Sequence, residues 1–361
     1  MEPNPFLGVF LHAVGGLAAG SFYLPFKKVK GWSWEVYWII GGVFSWIVTP
    51  MAVAYSLNPR LFEIIANAPS RALLGTFGFG VLWGIGGLTF GLTVRYLGLS
   101  LGYALALGLC AAFGTLIPPL ADGTLPGLFR DASGLTILSG VGVCLFGIAL
   151  SGRAGMVKEK ELSDEEKAET IQEFAFAKGV WVAIFCGIMS ACMAFAFQAG
   201  KPIAELAISM GTSDIWQNTP VLVVILWGGF ATNFLWCLFL IVKNKSGGEF
   251  TNFRDFPWLT NFIFSAIAGT VWYFQFFFYG MGTTKMGQFD FSSWTLHMAF
   301  IIVFSNLWGI LLHEWKGTSA RAKNLIVAGI VVLILSTIVV GYGNKLGQTS
   351  NAEPVETIEG L

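Results

Sequence analysis

Apolar residues along this chain come in long unbroken runs. The three-and-four spacing of a surface helix and the alternation of a half-buried strand are both absent as the dominant pattern. A helix needs about 20 mostly apolar residues to cross about 30 Å of hydrocarbon. Ten runs are long enough: residues 6–26, 36–56, 72–93, 99–120, 135–151, 179–199, 219–242, 258–281, 291–312 and 324–343. Pro118, Pro119 and Pro220 are expected near helix ends or kinks, because proline lacks the N–H an inner turn needs. The pattern predicts an all-α integral membrane protein with ten transmembrane helices.

The polar residues between the runs carry an orientation signal, since Lys and Arg near helix ends stay on the cytoplasmic side. Loops after the odd-numbered runs hold 15 of the 21 Lys and Arg: Lys27, Lys28, Lys30, Arg95, Arg153, Lys158, Lys160, Lys167, Lys178, Lys243, Lys245, Arg254, Lys316, Arg321 and Lys323. Both termini are therefore expected outside the cytoplasm. Residues 1–151 form a first five-helix half, 152–178 a charged cytoplasmic linker and 179–343 a second five-helix half. The acidic tail 344–361 has no periodic apolar face and is expected to be disordered. Five is odd, so the second half enters the membrane opposite to the first, as two inverted five-helix repeats do. Trp83, Phe90, Gly91 and Gly98 recur as Trp272, Tyr279, Gly280 and Gly287 at a constant offset of 189.

Composition narrows the class. With 55% hydrophobic and 12% charged residues and a mean hydropathy of +0.69, the chain is no soluble globule, for which about 25% charge is usual. Its 45 Gly and 14 Trp suit packed membrane helices. A net charge of zero leaves no electrostatic footprint for nucleic acid. The cysteines Cys110, Cys144, Cys186, Cys192 and Cys237 lie in apolar runs without metal-ligand spacing, so they read as packing residues. No metal and no cofactor are expected. Residues 6–26 have no basic stretch before them and KKVK after them, which favours a retained helix over a signal peptide.

Polar chemistry concentrates in Thr270–Phe300, read as the end of one helix, a tight turn and the start of the next. On the first helix Trp272, Gln275 and Tyr279 fall within about 60° of one another; on the second, Asp290, Ser293, Trp294 and His297 fall within about 100°. Polar groups gathered at membrane depth point to a functional site. The competing reading is an interfacial Trp and Tyr belt with Asp290 as a helix cap. In the first run His12, Gly16, Ala19 and Tyr23 share a face. Gly80, Gly84, Gly87 and Gly91 form GxxxG spacings that read first as close packing, although such a groove also lines cavities. Tyr103 and Gln198 are isolated polar groups.

At SFYLPFKKVKGWSWE (Ser21–Glu35), WGIGGLTFGLTVRYLGLSLG (Trp83–Gly102), WYFQFFFYGMG (Trp272–Gly282) and FDFSSWTLHMAF (Phe289–Phe300) the chain resembles the bacterial L-rhamnose-proton symporter family of the drug/metabolite transporter superfamily. The resemblance implies two inverted five-helix repeats, a place in the bacterial cytoplasmic (inner) membrane, and import of a sugar, L-rhamnose or a related deoxysugar, coupled to protons. The chain departs from the family at Gly87, Thr89 and Phe90, where other members carry two Asn and a Tyr. The wider superfamily often keeps both termini in the cytoplasm, against the charge bias here.

A pyranose offers hydroxyls at its edge and C–H groups on its face, so its site needs aromatic platforms and hydrogen-bonders. Trp272, Tyr279 and Trp294 are candidates for the platform, and Gln275, Asp290 and Tyr23 for the hydrogen bonds. The coupling proton needs a titratable group, and His12, His297 and Asp290 are the candidates; each histidine could equally be a neutral packing residue. Glu35 could pair with Lys27, Lys28 or Lys30. The alternative function is a drug/metabolite exporter or facilitator of the same fold. An enzyme is disfavoured, because no metal-ligand cluster, nucleophile with base, or paired carboxylates appear at helical spacing.

Overall fold

The computed structural model describes residues 3–97, 99–161 and 175–352. Among them every regular element is helical. Ten segments are long and apolar enough to cross a membrane: α1 (Pro5–Phe26), α2 (Trp34–Leu57), α3 (Ser70–Leu97), α4 (Ala104–Ala121), α5 (Ala132–Glu161), α6 (Ala177–Ser209), α7 (Asp214–Asn244), α8 (Trp258–Thr283), α9 (Gly287–Leu311) and α10 (Ala320–Gln348). The chain is an all-α, multi-pass membrane protein. Local signals start the helices where the runs begin. Asn4 caps α1, its Oδ1 accepting the Leu7 N–H at 3.1 Å, and Pro5 fills a first-turn position where no N–H is missed. Asp131 precedes α5 and accepts from the Ser133 hydroxyl and the Gly134 N–H, and the Ser133 hydroxyl above all holds its carboxyl below the usual range.

Several helices outrun their apolar stretch. The helix of α5 continues to Glu161 because Ala154 and Gly155 stay buried. Its polar end is anchored to the loop after α9: Lys158 lies over the Trp315 ring and Glu161 accepts the Ser319 N–H at 2.8 Å. The first ten residues of the expected linker are thus helical, and 162–174 lie outside the described residues. Helix continues past α10 to Ala352. Within α10, beyond the apolar run, Asn344 is fully buried and donates to the Ser292 hydroxyl at 2.9 Å. Residues 353–361 of the acidic tail lie outside the described residues.

The helices pack in a definite set of pairs. α5 runs along α10; α3 is held by α6 and α7, and α8 by α1 and α2. α4 packs on α5 and α6, and α9 on α10 and α1, while α2 meets α7 and α4 meets α9. Glycine makes two crossings tight. A Cβ at Gly80 of α3 would run into the Ile225 carbonyl of α7, and one at Gly269 of α8 into the Gly41 carbonyl of α2.

Polar side chains tie α2 to α7 at both ends. At the lysine-rich end Glu35 is buried and accepts from Asn244 Nδ2 at 2.9 Å and Ser246 Oγ at 2.8 Å. Beside it Glu249 accepts from the Ser33 N–H and hydroxyl, and Asn261 exchanges two hydrogen bonds with the Lys30 backbone. The expected pairing of Glu35 with the nearby lysines is corrected here: Lys27 instead pairs with Glu314 at 3.0 Å. The end of α7 and the loop after it bring these donors, distant in sequence, to Glu35. At the other end Asn58 donates to Thr219 at 2.7 Å.

Candidate functional site

The site grows from one face of α8. Trp272, Phe276 and Tyr279 recur at helical spacing, and their rings form a column through the bundle. Trp272 meets Trp46 of α2 edge-on at 5.6 Å and Trp83 of α3 at 5.5 Å. Phe276 meets Trp83 and, at 5.8 Å, His297 of α9. Tyr279 is surrounded by His12 of α1 at 5.4 Å, Phe197 of α6 at 5.2 Å, His297 at 5.2 Å and Trp294 at 5.6 Å. Six helices therefore send rings to one place.

Trp294 is fixed there. Its indole N–H donates to the Cys110 carbonyl of α4 at 3.0 Å, and its ring covers Gly114, where a Cβ would collide with it. Next to it the Thr115 and Thr295 hydroxyls share a 2.7 Å hydrogen bond.

The histidines are the exception to this good order. His12 and His297 are both 0% exposed, and neither nitrogen of either ring has a hydrogen-bond partner. Leaving a buried polar atom unsatisfied costs about 1–3 kcal/mol. Each such group in a folded protein calls for an explanation, and an absent ligand is a common one.

Of the residues expected from sequence, the structure brings together His12, Trp272, Tyr279, Trp294 and His297. Gln275 is also buried on α8, with its backbone carbonyl close to Gly15 of α1. Two residues stand apart. Asp290 sits in a short 3-10 turn, Gly287–Ser292, and its side chain, 41% exposed, pairs with Lys201 at 3.2 Å. That turn breaks the regular 100° step, so Asp290 does not continue the inward face of Trp294 and His297. Tyr23 is 46% exposed and makes edge contacts with Phe22 and Phe26. Eleven residues separate it from His12, about 16 Å along a helix.

The glycine row divides. Gly80 and Gly84 pack on α7, whereas a Cβ at Gly87 or Gly91 would meet nothing within 4 Å. Thr89 turns its hydroxyl back to the Ile85 and Gly86 carbonyls. Gln198 donates to Asp122 at 2.8 Å. The Tyr103 side chain lies outside the described residues. All five cysteines are free and buried, and among the described residues no cluster of His, Cys, Asp and Glu could hold a metal.

Sequence reasoning passed over Trp46, Trp83 as a site residue, Phe197 and Phe276. For Trp46 a signal exists in Pro50. Proline has no N–H for the carbonyl four residues back, that of Trp46, and its ring crowds that carbonyl. The helix responds by widening to a π-turn over Phe44–Val48, a device found often at functional sites.

Comparison with known proteins agrees with this architecture. The profile of a family described as L-rhamnose-proton symport protein matches residues 1–345. An L-rhamnose-proton symporter of Yersinia pestis (strain Pestoides F) is 39% identical over 340 residues, covering 93% of this chain and 97% of that protein. One of Citrobacter koseri is 38% identical over 341 residues with the same coverage.

Proposed function

The chain belongs to the L-rhamnose-proton symport protein family, and we propose that it imports L-rhamnose or a related deoxysugar together with protons across the bacterial inner membrane. The family is one of transporters, not enzymes. The observation that carries the reading to residues is the pair of buried imidazoles, His12 and His297, unpartnered on either side of Tyr279.

In this reading Trp272, Tyr279 and Trp294 stack on the C–H face of the sugar and Gln275 hydrogen-bonds its hydroxyls. A neutral imidazole offers one donor and one acceptor; a protonated one offers two donors. In a low-dielectric interior that cation needs oxygen ligands and ring faces, and sugar hydroxyls and the Tyr279 ring supply them. Sugar then tightens proton binding, and by linkage the proton tightens sugar binding by the same factor. Asp290, paired with Lys201, and Tyr23 belong to the approaches to the site and not to its centre.

The two halves act as inverted repeats that rock about the site. Support comes from the packing. Exchanging the first five helices with the last five turns α3–α6 into α8–α1, α3–α7 into α8–α2, α4–α6 into α9–α1 and α4–α5 into α9–α10, and all eight pairs pack. Gly80 and Gly269, at the offset of 189, make matching close crossings. Trp83 and Trp272, at the same offset, face each other. The charge bias supports an orientation with both termini outside the cytoplasm.

The test is uptake of radiolabelled L-rhamnose and other sugars into proteoliposomes. Accumulation that requires an acidic exterior supports the reading. Equal uptake with and without the gradient means a facilitator, and no uptake of any sugar removes the substrate.

A further inference from the structure

We propose that Trp46 contacts the transported sugar, its indole N–H donating to a hydroxyl and its ring closing on the side of the site opposite Trp272. This deepens the reading of the chain as a sugar carrier and rests on it. Trp46 is only 3% exposed, and its Nε1 has no hydrogen-bond partner. Three other tryptophans of the membrane helices have partners: Trp38 donates to Asn233, Trp294 to the Cys110 carbonyl and Trp308 to Ser21. Trp32 shares the deficiency, but it lies in the loop before α2.

The surroundings of Trp46 are built for change. It borders a cavity of about 10 Å³ together with Phe22, Trp38, Ser45, Gly269 and Trp272. That space suits a single water at most, whereas ligand sites span about 300–1,000 Å³. Its walls come from both halves of the chain, Trp46 from the first and Trp272 from the second, so a shift between halves changes its volume directly. The π-turn places Trp46 where α2 is already loosened. Gly42 lets the Trp46 ring lie directly on the α2 backbone, where a Cβ would collide with it. Trp46 thus combines a buried donor without a partner, a position beside Trp272 on the aromatic column and a wall that can move. A pyranose needs both an aromatic face and a donor for its hydroxyl oxygens, and this position offers both.

Binding of labelled L-rhamnose to the purified protein in nanodiscs, competed by its monodeoxy analogues, tests the contact. Trp46→Phe keeps a ring and removes the N–H. It is expected to weaken L-rhamnose binding about five- to hundredfold, while one monodeoxy analogue, lacking the hydroxyl contacted, loses nothing further. Replacing Trp46 by benzothienylalanine removes the N–H with the bicyclic ring kept, and gives the same result even where the phenylalanine variant does not fold. If the benzothienyl protein binds L-rhamnose and every analogue like the wild type, the N–H serves a buried water and the proposal is overturned while the carrier reading stands. A wild-type protein that binds no pyranose overturns both.

Discussion

Replacing Glu35 by Ala is expected to loosen the lysine-rich end of the bundle. The carboxylate is 4% exposed and accepts from Asn244 Nδ2 and Ser246 Oγ at 2.9 and 2.8 Å. Hydrogen bonds to a charged group contribute about 1.5–3 kcal/mol each. Asn244 is exposed and regains water when its acceptor leaves, whereas Ser246 is buried and does not. The loss is therefore about 2–4 kcal/mol, nearer the lower figure, with Glu35→Gln retaining an acceptor oxygen and losing about half as much. Thermal unfolding in nanodiscs reads the ranking wild type, Gln, Ala. The same change should speed the labelling of Ser45→Cys by a thiol reagent added from the lysine-rich side, where the hydrogen bonds of Glu35 hold α2 to the end of α7. An Ala variant that melts with the wild type and labels no faster would refute the tie as a structural element.

Gln275→Leu is expected to weaken sugar binding by about 1–3 kcal/mol, up to roughly a hundredfold, as a hydroxyl loses its partner; unchanged equilibrium binding moves the hydrogen-bonding side of the site elsewhere. Gly114→Ala should displace the Trp294 ring, which a Cβ would strike, and lower sugar affinity; competition binding equal to the wild type would remove Trp294 from the platform. A tag at the C-terminus should be accessible from outside intact cells and one near residue 165 should not, and the reverse pattern would overturn the orientation.

The fold was legible because hydrocarbon imposes a length on apolar runs, and each of the ten runs overlaps one of the ten helices, the fourth and ninth reaching a few residues past theirs. Helix ends were less so. Hydropathy registers where lipid contact stops, whereas the helices of α5 and α10 continue on buried Ala154 and Asn344. Trp272, Tyr279, Trp294 and His297 come together as their spacing predicts, because each lies in a regular helix. It misled at Asp290, where the 3-10 turn changes the step. The partners of Glu35 and the surroundings of Trp46 depend on helices far away in sequence, and only Pro50 marked the latter.

Central to the account is a proton carried on a histidine beside Tyr279, and sugar-driven proton uptake reads it most directly. External pH is followed in proteoliposomes when L-rhamnose is added, for the wild type, His12→Gln, His297→Gln and the double variant, alongside exchange of labelled for unlabelled sugar. Glutamine keeps hydrogen bonding and removes titration. The account predicts that the wild type takes up protons with the sugar, and that replacing the coupling histidine abolishes this uptake while exchange persists. A double variant that still takes up protons and concentrates sugar would contradict it.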